Sequence, residues 1–324
     1  MSASDLKSLV FAGDIEGVDE WLRGNPRPPA SELSERYLGL AIARNNLELV
    51  KVLVEHGADP NHHGSLDPKH YKNYGFLTRF SNACAGASLQ IVRHLHSRGA
   101  KIEGYVPGMT PLVMSVGNPE VTQFLLSKGA AKNIFFLVAS GELDEVKRAL
   151  VNSPELANAA DEFGHTVLHY ACHQLEMARL LIESGADVKG RDPRKNTPLH
   201  EVANGSRGRS LILLLVKQRA DVNARNWRRV TPLHNACRRG SLTNTRALLS
   251  RGAEIDALDT NRESPIFRCV GDRREDFPDR DMLAVVRFLV AQGADVTLEN
   301  RKGNTCLQKA TRRPVKDYLK SLST

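Results

Sequence analysis

The chain has 324 residues, 41% hydrophobic and 25% charged, and 45 Lys and Arg against 37 Asp and Glu give a net charge of +8 at pH 7. No uninterrupted apolar run approaches the roughly 18–20 residues that a bilayer span needs, so no membrane insertion is expected. The five cysteines include no Cys-x-x-Cys pair, which argues against a disulfide framework or a zinc knuckle.

Residues 1–11 hold Asp5 and Lys7 and lack a small-residue cleavage site after a long apolar core. They do not read as a signal peptide, and the expected location is intracellular, cytoplasmic or nuclear. Residues 3–24 keep Val18, Trp21 and Leu22 on one helical face and Asp5, Asp14, Glu16, Asp19 and Glu20 on another. That is the makeup of an end cap, apolar inward and polar outward.

A module then recurs. Turns with Gly-Ala or an equivalent fall at Gly57-Ala58, Gly99-Ala100, Gly129-Ala130, Gly185-Ala186, Arg219-Ala220, Gly252-Ala253 and Gly293-Ala294. Helix starts are expected at Arg36, Thr78, Thr110, Thr166, Thr197, Thr231, Ser264 and Thr305. A hydroxyl there satisfies a free N–H, and a following proline loses no helical hydrogen bond. Thr197 to Thr231 spans 34 positions and Thr231 to Ser264 spans 33. In the clearest copy, 226–259, Leu233, Ala236 and Cys237 share a helical face and Gly240 ends that helix. Leu248 and Leu249 give a second stripe, and Gly252 supplies a left-handed exit. Cys84, Cys172 and Cys237 occupy one small-residue position of their copies and read as buried substitutes for alanine.

Thr231-Pro232-Leu233-His234, Ala236, Gly240, Leu248-Leu249 and Gly252-Ala253 resemble the pattern of the ankyrin repeat, and the resemblance covers nearly the whole chain. It implies an all-α solenoid of helix-turn-helix-hairpin units, about nine or ten at the family's usual period, with capping repeats at both ends. The second cap is expected at 304–322, with Leu307, Ala310, Val315, Tyr318 and Leu319 inward. The array is expected to be single over 1–324, with an irregular junction near 129–160 dividing subarrays 1–130 and 131–324. No Thr-Pro pair opens the apolar run from Phe135, and only three residues separate Ala130 from Ile134.

Three loops exceed the regular module, and long loops on a rigid scaffold are common binding elements. Residues 62–76 enlarge a hairpin and bring His62, His63, His70, Tyr71 and Tyr74, a candidate secondary binding loop. Residues 204–210 and 271–281 lengthen helix–helix turns, the latter by about eight residues over the usual repeat.

His169, His200 and His234 share one position of the module. In the ankyrin pattern this histidine is understood to hydrogen-bond within and between repeats, which suits a neutral ring with one donor and one acceptor. His165, His169 and His173 lie four apart, but His165 precedes the helix and His169 has that structural duty, so no metal is expected. The chain contains no phosphate-binding glycine loop, no Gly-x-Ser-x-Gly and no His-Glu-x-x-His. No catalytic residue and no cofactor are assigned.

Charge is the sharpest functional feature. Residues 187–324 hold 28 Lys and Arg against 16 Asp and Glu, net +12, whereas 1–186 hold 17 against 21, net −4. The excess concentrates in hairpin segments: Lys189, Arg191, Arg194 and Lys195, then Arg225, Trp227, Arg228 and Arg229, then Arg262, then Arg301 and Lys302. Hairpins stack in a solenoid, so these residues, joined by Arg238 and Arg239 at the end of an inner helix, are expected to form a partner-binding stripe. Aromatic and Arg side chains dominate interface energies, and a positive field steers acidic partners. The expected function is a protein-binding scaffold or adaptor that works through the concave hairpin and inner-helix face of the C-terminal repeats, by binding and not turnover. It acts as a monomer on an acidic or phosphorylated partner, with no specific nucleic acid. The alternative is an enzyme or small-ligand binder with a pocket near 62–76.

Overall fold

The computed structural model describes residues 3–63, 78–103, 110–161, 164–206, 208–271 and 279–322. Their regular secondary structure consists of short helices. Among them there is no β-strand, only single bridges between His63 and Thr78 and between Ala160 and Thr166. No described helix is long and apolar enough to cross a membrane. Contacts divide the chain into two compact units, Met1–Ser140 and Gly141–Thr324.

The first unit opens with α1 (Ala3–Ala12) and α2 (Ile15–Gly24). Asp14 caps α2 by accepting from the N–H of Gly17 at 3.0 Å, and the amphipathic face of α2 buries Val18, Trp21 and Leu22. Helices α3 (Ala30–Glu32) and α4 (Gly39–Ala43) are joined by a π-helical turn, Leu33–Leu38. Arg36 therefore lies inside a helix and does not start one. The helix begins behind Pro29, whose fixed φ suits a helix start, and Ser34 donates back to the carbonyl of Ala30 at 2.6 Å. Next come α5 (Leu47–Glu55), α6 (Arg79–Gly86), α7 (Leu89–Ser97), α8 (Pro111–Met114), α9 (Pro119–Ser127) and α10 (Ile134–Ser140). An inner row packs α4 on α6, α6 on α8 and α8 on α10, and an outer row packs α2 on α5, α5 on α7 and α7 on α9. Asn133 caps α10 in place of a threonine, accepting from the N–H of Phe136 at 2.8 Å.

The second unit repeats this plan with α11 (Leu143–Asn152), a 3-10 turn (Pro154–Asn158), α12 (Val167–Tyr170), α13 (Leu175–Glu183), α14 (Pro198–Ala203), α15 (Arg209–Lys217), α16 (Pro232–Arg239), α17 (Leu242–Leu249), α18 (Pro265–Val270), α19 (Asp279–Ala291), α20 (Cys306–Lys309) and α21 (Arg313–Ser321). Even-numbered helices from α12 to α20 form the inner row, and odd-numbered ones from α11 to α21 the outer row. Helix α19 takes in Asp279 to Asp281 of the expected 271–281 loop, and residues 272–278 of that loop lie outside the described residues.

The rows hold together by burial and by caps. Leu199, Leu215, Leu233, Leu248, Ile266 and Leu289 are nearly solvent-free, each contributing about 1.5–3 kcal/mol of transfer free energy. Cys84, Cys172, Cys237, Cys269 and Cys306 are unpaired and buried, and desolvation pushes the thiols of Cys84, Cys172 and Cys306 up. At three inner-helix starts, the Nδ1 atoms of His169, His200 and His234 accept from the N–H of Thr166, Thr197 and Thr231 at 3.1 Å each. That fixes the proton on Nε2, which donates onward to the carbonyls of Asn196 (3.3 Å), Val230 (3.0 Å) and Glu263 (3.0 Å) in the following repeat. Burial first lowers His169 and His234 to about 4, and it also lowers His200. Phe267 takes the histidine's place in α18.

Candidate partner-binding surface

In the second unit each inner helix is preceded by a hairpin whose tip has one construction. Asp161, Asp192, Asn226, Asp259 and Asn300 open the tips, and each backbone N–H donates to the carbonyl four residues on, at 2.9–3.1 Å. Their side-chain oxygens accept from the returning strand, as Asp192 does from the N–H of Asn196 at 2.7 Å and Asn226 does from Val230 at 3.0 Å. The turn closes with Gly164, Lys195, Arg229, Arg262 or Gly303 donating its N–H to the carbonyl of the opening residue. This fourth residue is left-handed in every tip, with φ of 70°, 59°, 59°, 58° and 71°.

Successive tips are tied by backbone. The N–H of Trp227 donates to Arg194 O, that of Thr260 to Arg228 O, and that of Arg301 to Asn261 O, all at 2.9 Å. The Nδ2 of Asn226 also donates to Oδ1 of Asn196 at 2.8 Å. The four tips from Asp192 onward therefore form a continuous edge built from the chain's own hydrogen bonds.

The edge is rich in exposed cations. Lys189, Arg191, Arg194, Lys195, Arg228, Arg229, Arg262, Arg301 and Lys302 are all exposed. Trp227 is 55% exposed, with the Arg228 guanidinium 4.7 Å from its ring centroid. Such stacking holds an indole upright in water at about 0.5–1 kcal/mol. Arg191 reaches the carbonyl of Arg225 at 3.4 Å. The side chains of Lys195, Arg229, Arg262, Arg301 and Lys302 make no hydrogen bond or ion pair among the described residues.

Other members of the expected stripe are differently placed. Arg225 is half-buried, paired with Glu254 at 2.8 Å and donating to the carbonyl of Leu258 at 3.1 Å. Arg238 is half-buried and donates to Asn204 Oδ1 at 2.7 Å. Arg238 and Arg239 end α16, roughly 10 Å along its axis from the hairpin. Arg239 borders a shallow recess of about 460 Å³ with His173, Glu201 and Asn204. Glu201 sets an acid beside Arg239 on the inner-helix face, and burial, then the charge of Asp192, raises its carboxyl. His165 lies between two buried acids, 3.2 Å from Asp161 and 3.8 Å from Asp192. Burial opposes its charged form, but the Asp161 hydrogen bond and both carboxylates outweigh that and raise it.

In the first unit, His62 and His63 stack with ring centroids 6.1 Å apart, and burial, then Arg79, lowers His62. His70, Tyr71 and Tyr74, and the pocket envisaged near them, lie outside the described residues. What sequence reasoning missed is the left-handed backbone under Lys195, Arg229 and Arg262. Aligning these tips with those of Gly164 and Gly303 carries that signal.

A stack of capped helix pairs with regular hairpins defines a repeat protein, and the sequence comparisons agree. Profiles described as "Ankyrin repeats (3 copies)" match residues 81–192, 134–226 and 185–259, and one described as "Ankyrin repeat" matches 38–65. The chain belongs to the ankyrin repeat family, a family of protein-binding modules. It is 31% identical over 184 residues to the B-cell lymphoma 3 protein homolog of Mus musculus, covering 55% of this chain and 39% of that protein. It is 29% identical over 205 residues to ankyrin repeat and SOCS box protein 16 of Homo sapiens, covering 55% of this chain and 42% of that protein. The chain thus spans about two fifths of the length of these relatives.

Proposed function

We propose that this chain is a scaffold or adaptor that binds an acidic or phosphorylated protein through the hairpin edge and inner-helix face of residues 187–324. It acts as a monomer in the cytoplasm or nucleus, a location that five unpaired cysteines suit. The observation that carries the reading is a division of labour among cations. Arg225, Arg238 and Arg268 are spent on internal partners, whereas Arg229, Arg262, Arg301 and Lys302 face water without one among the described residues. Guanidinium groups favour bidentate contact with carboxylate or phosphate, and the exposed Trp227 supplies an apolar anchor among them.

The test is affinity purification with the wild type and with a variant carrying Trp227→Ala, Arg228→Ala and Arg229→Ala. The expected result is loss of the main protein partner with an unchanged far-ultraviolet circular dichroism spectrum. Undiminished capture by the folded variant overturns the reading.

A further inference from the structure

The tips spend backbone strain on charge. Among the described residues the non-glycine positions with left-handed φ are Asn45, Lys195, Arg219, Arg229 and Arg262. Asparagine tolerates that region, but a long side chain there crowds its own carbonyl and is disfavoured. The fold itself shows the strain-free choice, since Gly164 and Gly303 fill the same turn position on either side of the run. Three consecutive tips instead carry Lys195, Arg229 and Arg262, none paired through its side chain among the described residues. Strain that the surrounding structure does not require is a mark of function.

The three cations recur once per repeat at an identical turn position, on an edge fixed by backbone bonds between tips. The repeat spacing follows from helix packing, about 8–10 Å between neighbouring inner helices. A partner that pairs with all three must present anions at that pitch along a line. An extended β-strand returns to the same face about every 6.8 Å and falls out of step at the second cation. A polyproline II segment returns after three residues, about 9.3 Å, and stays in step. A helix offers about 10.5 Å over seven residues, but helices dock through apolar grooves, and among the described residues of the edge Trp227 alone is a large exposed apolar side chain.

Resting on the acidic-partner reading, we infer that the edge formed by Lys195, Arg229 and Arg262 binds an extended, polyproline-II-like peptide segment with acidic side chains at every third residue. Trp227, beside Arg228, lies between the first two cations in sequence and offers a ring for the prolines of such a segment.

Fluorescence anisotropy with the full chain tests this. The probe is a labelled peptide of four Glu-Pro-Pro repeats, compared with a peptide of the same composition whose glutamates alternate between spacings of two and four. The first is expected to bind at least about tenfold more tightly at fixed salt. A Lys195→Gly, Arg229→Gly, Arg262→Gly variant should lose that preference. It should also melt at a higher temperature, because glycine relieves the strain, so lost binding cannot be ascribed to misfolding. Arg219→Gly removes the same strain and charge at a helix exit away from the tips and should retain the preference. Equal binding of both peptides overturns the spacing inference while leaving the acidic-partner reading in place, as does tighter binding of a helical peptide with acids seven apart. Tighter binding of an oligothymidylate of equal charge overturns both.

Discussion

The backbone N–H of Trp227 donates to the carbonyl of Arg194 across 2.9 Å, so this 55% exposed ring stands on a tip tied to its neighbour by main chain as well as by the side-chain bond from Asn226 to Asn196. Pro193 holds the equivalent turn position in the preceding hairpin, so proline's fixed φ is compatible with this site. Trp227→Pro should therefore remove one hydrogen bond without distorting the turn, costing about 1 kcal/mol. Trp227→Ala keeps the bond and should stay within about 0.5 kcal/mol of wild type, as an exposed substitution does. Urea midpoints of the two variants check this. Equal midpoints would show that the tip-to-tip bond adds nothing.

The buried histidines make a prediction about acid. His169, His200 and His234 are held neutral, their folded values lowered, to about 4 for His169 and His234. A lowered histidine means that the unfolded chain binds more protons. Stability is therefore intact above the unfolded value of about 6.5 and is lost as pH falls from there toward 4. Each histidine contributes a slope of at most about 1.4 kcal/mol per pH unit. His165 is raised, so its contribution is fully present below about 6.5 and is lost only as pH rises above that, outside this window. The thermal midpoint should fall between pH 6.5 and 4.5, and His234→Gln should flatten that fall. A flat profile across this window contradicts the assigned hydrogen bonds.

Much of this fold is legible in the chain because its signals are local. A hydroxyl and a histidine three residues on, with a proline between them after Thr197 and Thr231 and a valine after Thr166, specify a cap, a helix start and a bridge, and all three threonines behave as their spacing requires. No hydroxyl-proline pair marks the helix that contains Arg36, and its π turn depends on packing that local propensity does not encode. The surface divides similarly. Composition reveals where basic residues gather, but Arg225 and Arg238 are removed from that pool by Glu254 and Asn204, partners 29 and 34 positions away. The left-handed backbone of Arg229 is invisible in isolation and emerges when the tips are superposed.

A further regularity exposes a weak joint. Asn61, Asn158 and Asn223 each donate Nδ2 to a glycine carbonyl of the next repeat, Gly99, Gly185 and Gly252, and accept from the N–H two residues beyond it. Asp256 occupies this position in its repeat and still accepts from the N–H of Asp295 at 3.1 Å, but an ionised carboxylate has no donor for Gly293 O. Burial, with the charge of Asp295, raises its carboxyl. A raised acid contributes stability that is present below the unfolded value and lost as pH rises through the folded one, so Asp256 is a liability at neutral pH. Asp256→Asn should stabilise by about 0.5–1.5 kcal/mol at pH 7, through the added hydrogen bond, and less at pH 3. A lower midpoint at pH 7 would reject the bridge.

Lys189 breaks the same ladder for a different reason. It stands where Asn158 and Asn223 stand in the flanking repeats, and its backbone N–H donates to Asp187 Oδ1 at 2.8 Å just as that of Asn223 donates to Asp221 at 2.9 Å. A lysine side chain has no acceptor for the N–H of Asp221 and is exposed here. The neighbouring position that glycine fills elsewhere is the left-handed Arg219, so two departures from the stable pattern meet at one junction, and both add positive charge. Lys189→Asn should restore the bridge and raise stability by about 0.5–1.5 kcal/mol. If the charge serves recognition, the same substitution should weaken capture of the acidic partner and reduce the dependence of that binding on salt. Urea unfolding read beside binding at low and high ionic strength separates the two effects. A stabilised variant with unchanged, equally salt-sensitive binding would place Lys189 outside the contact surface.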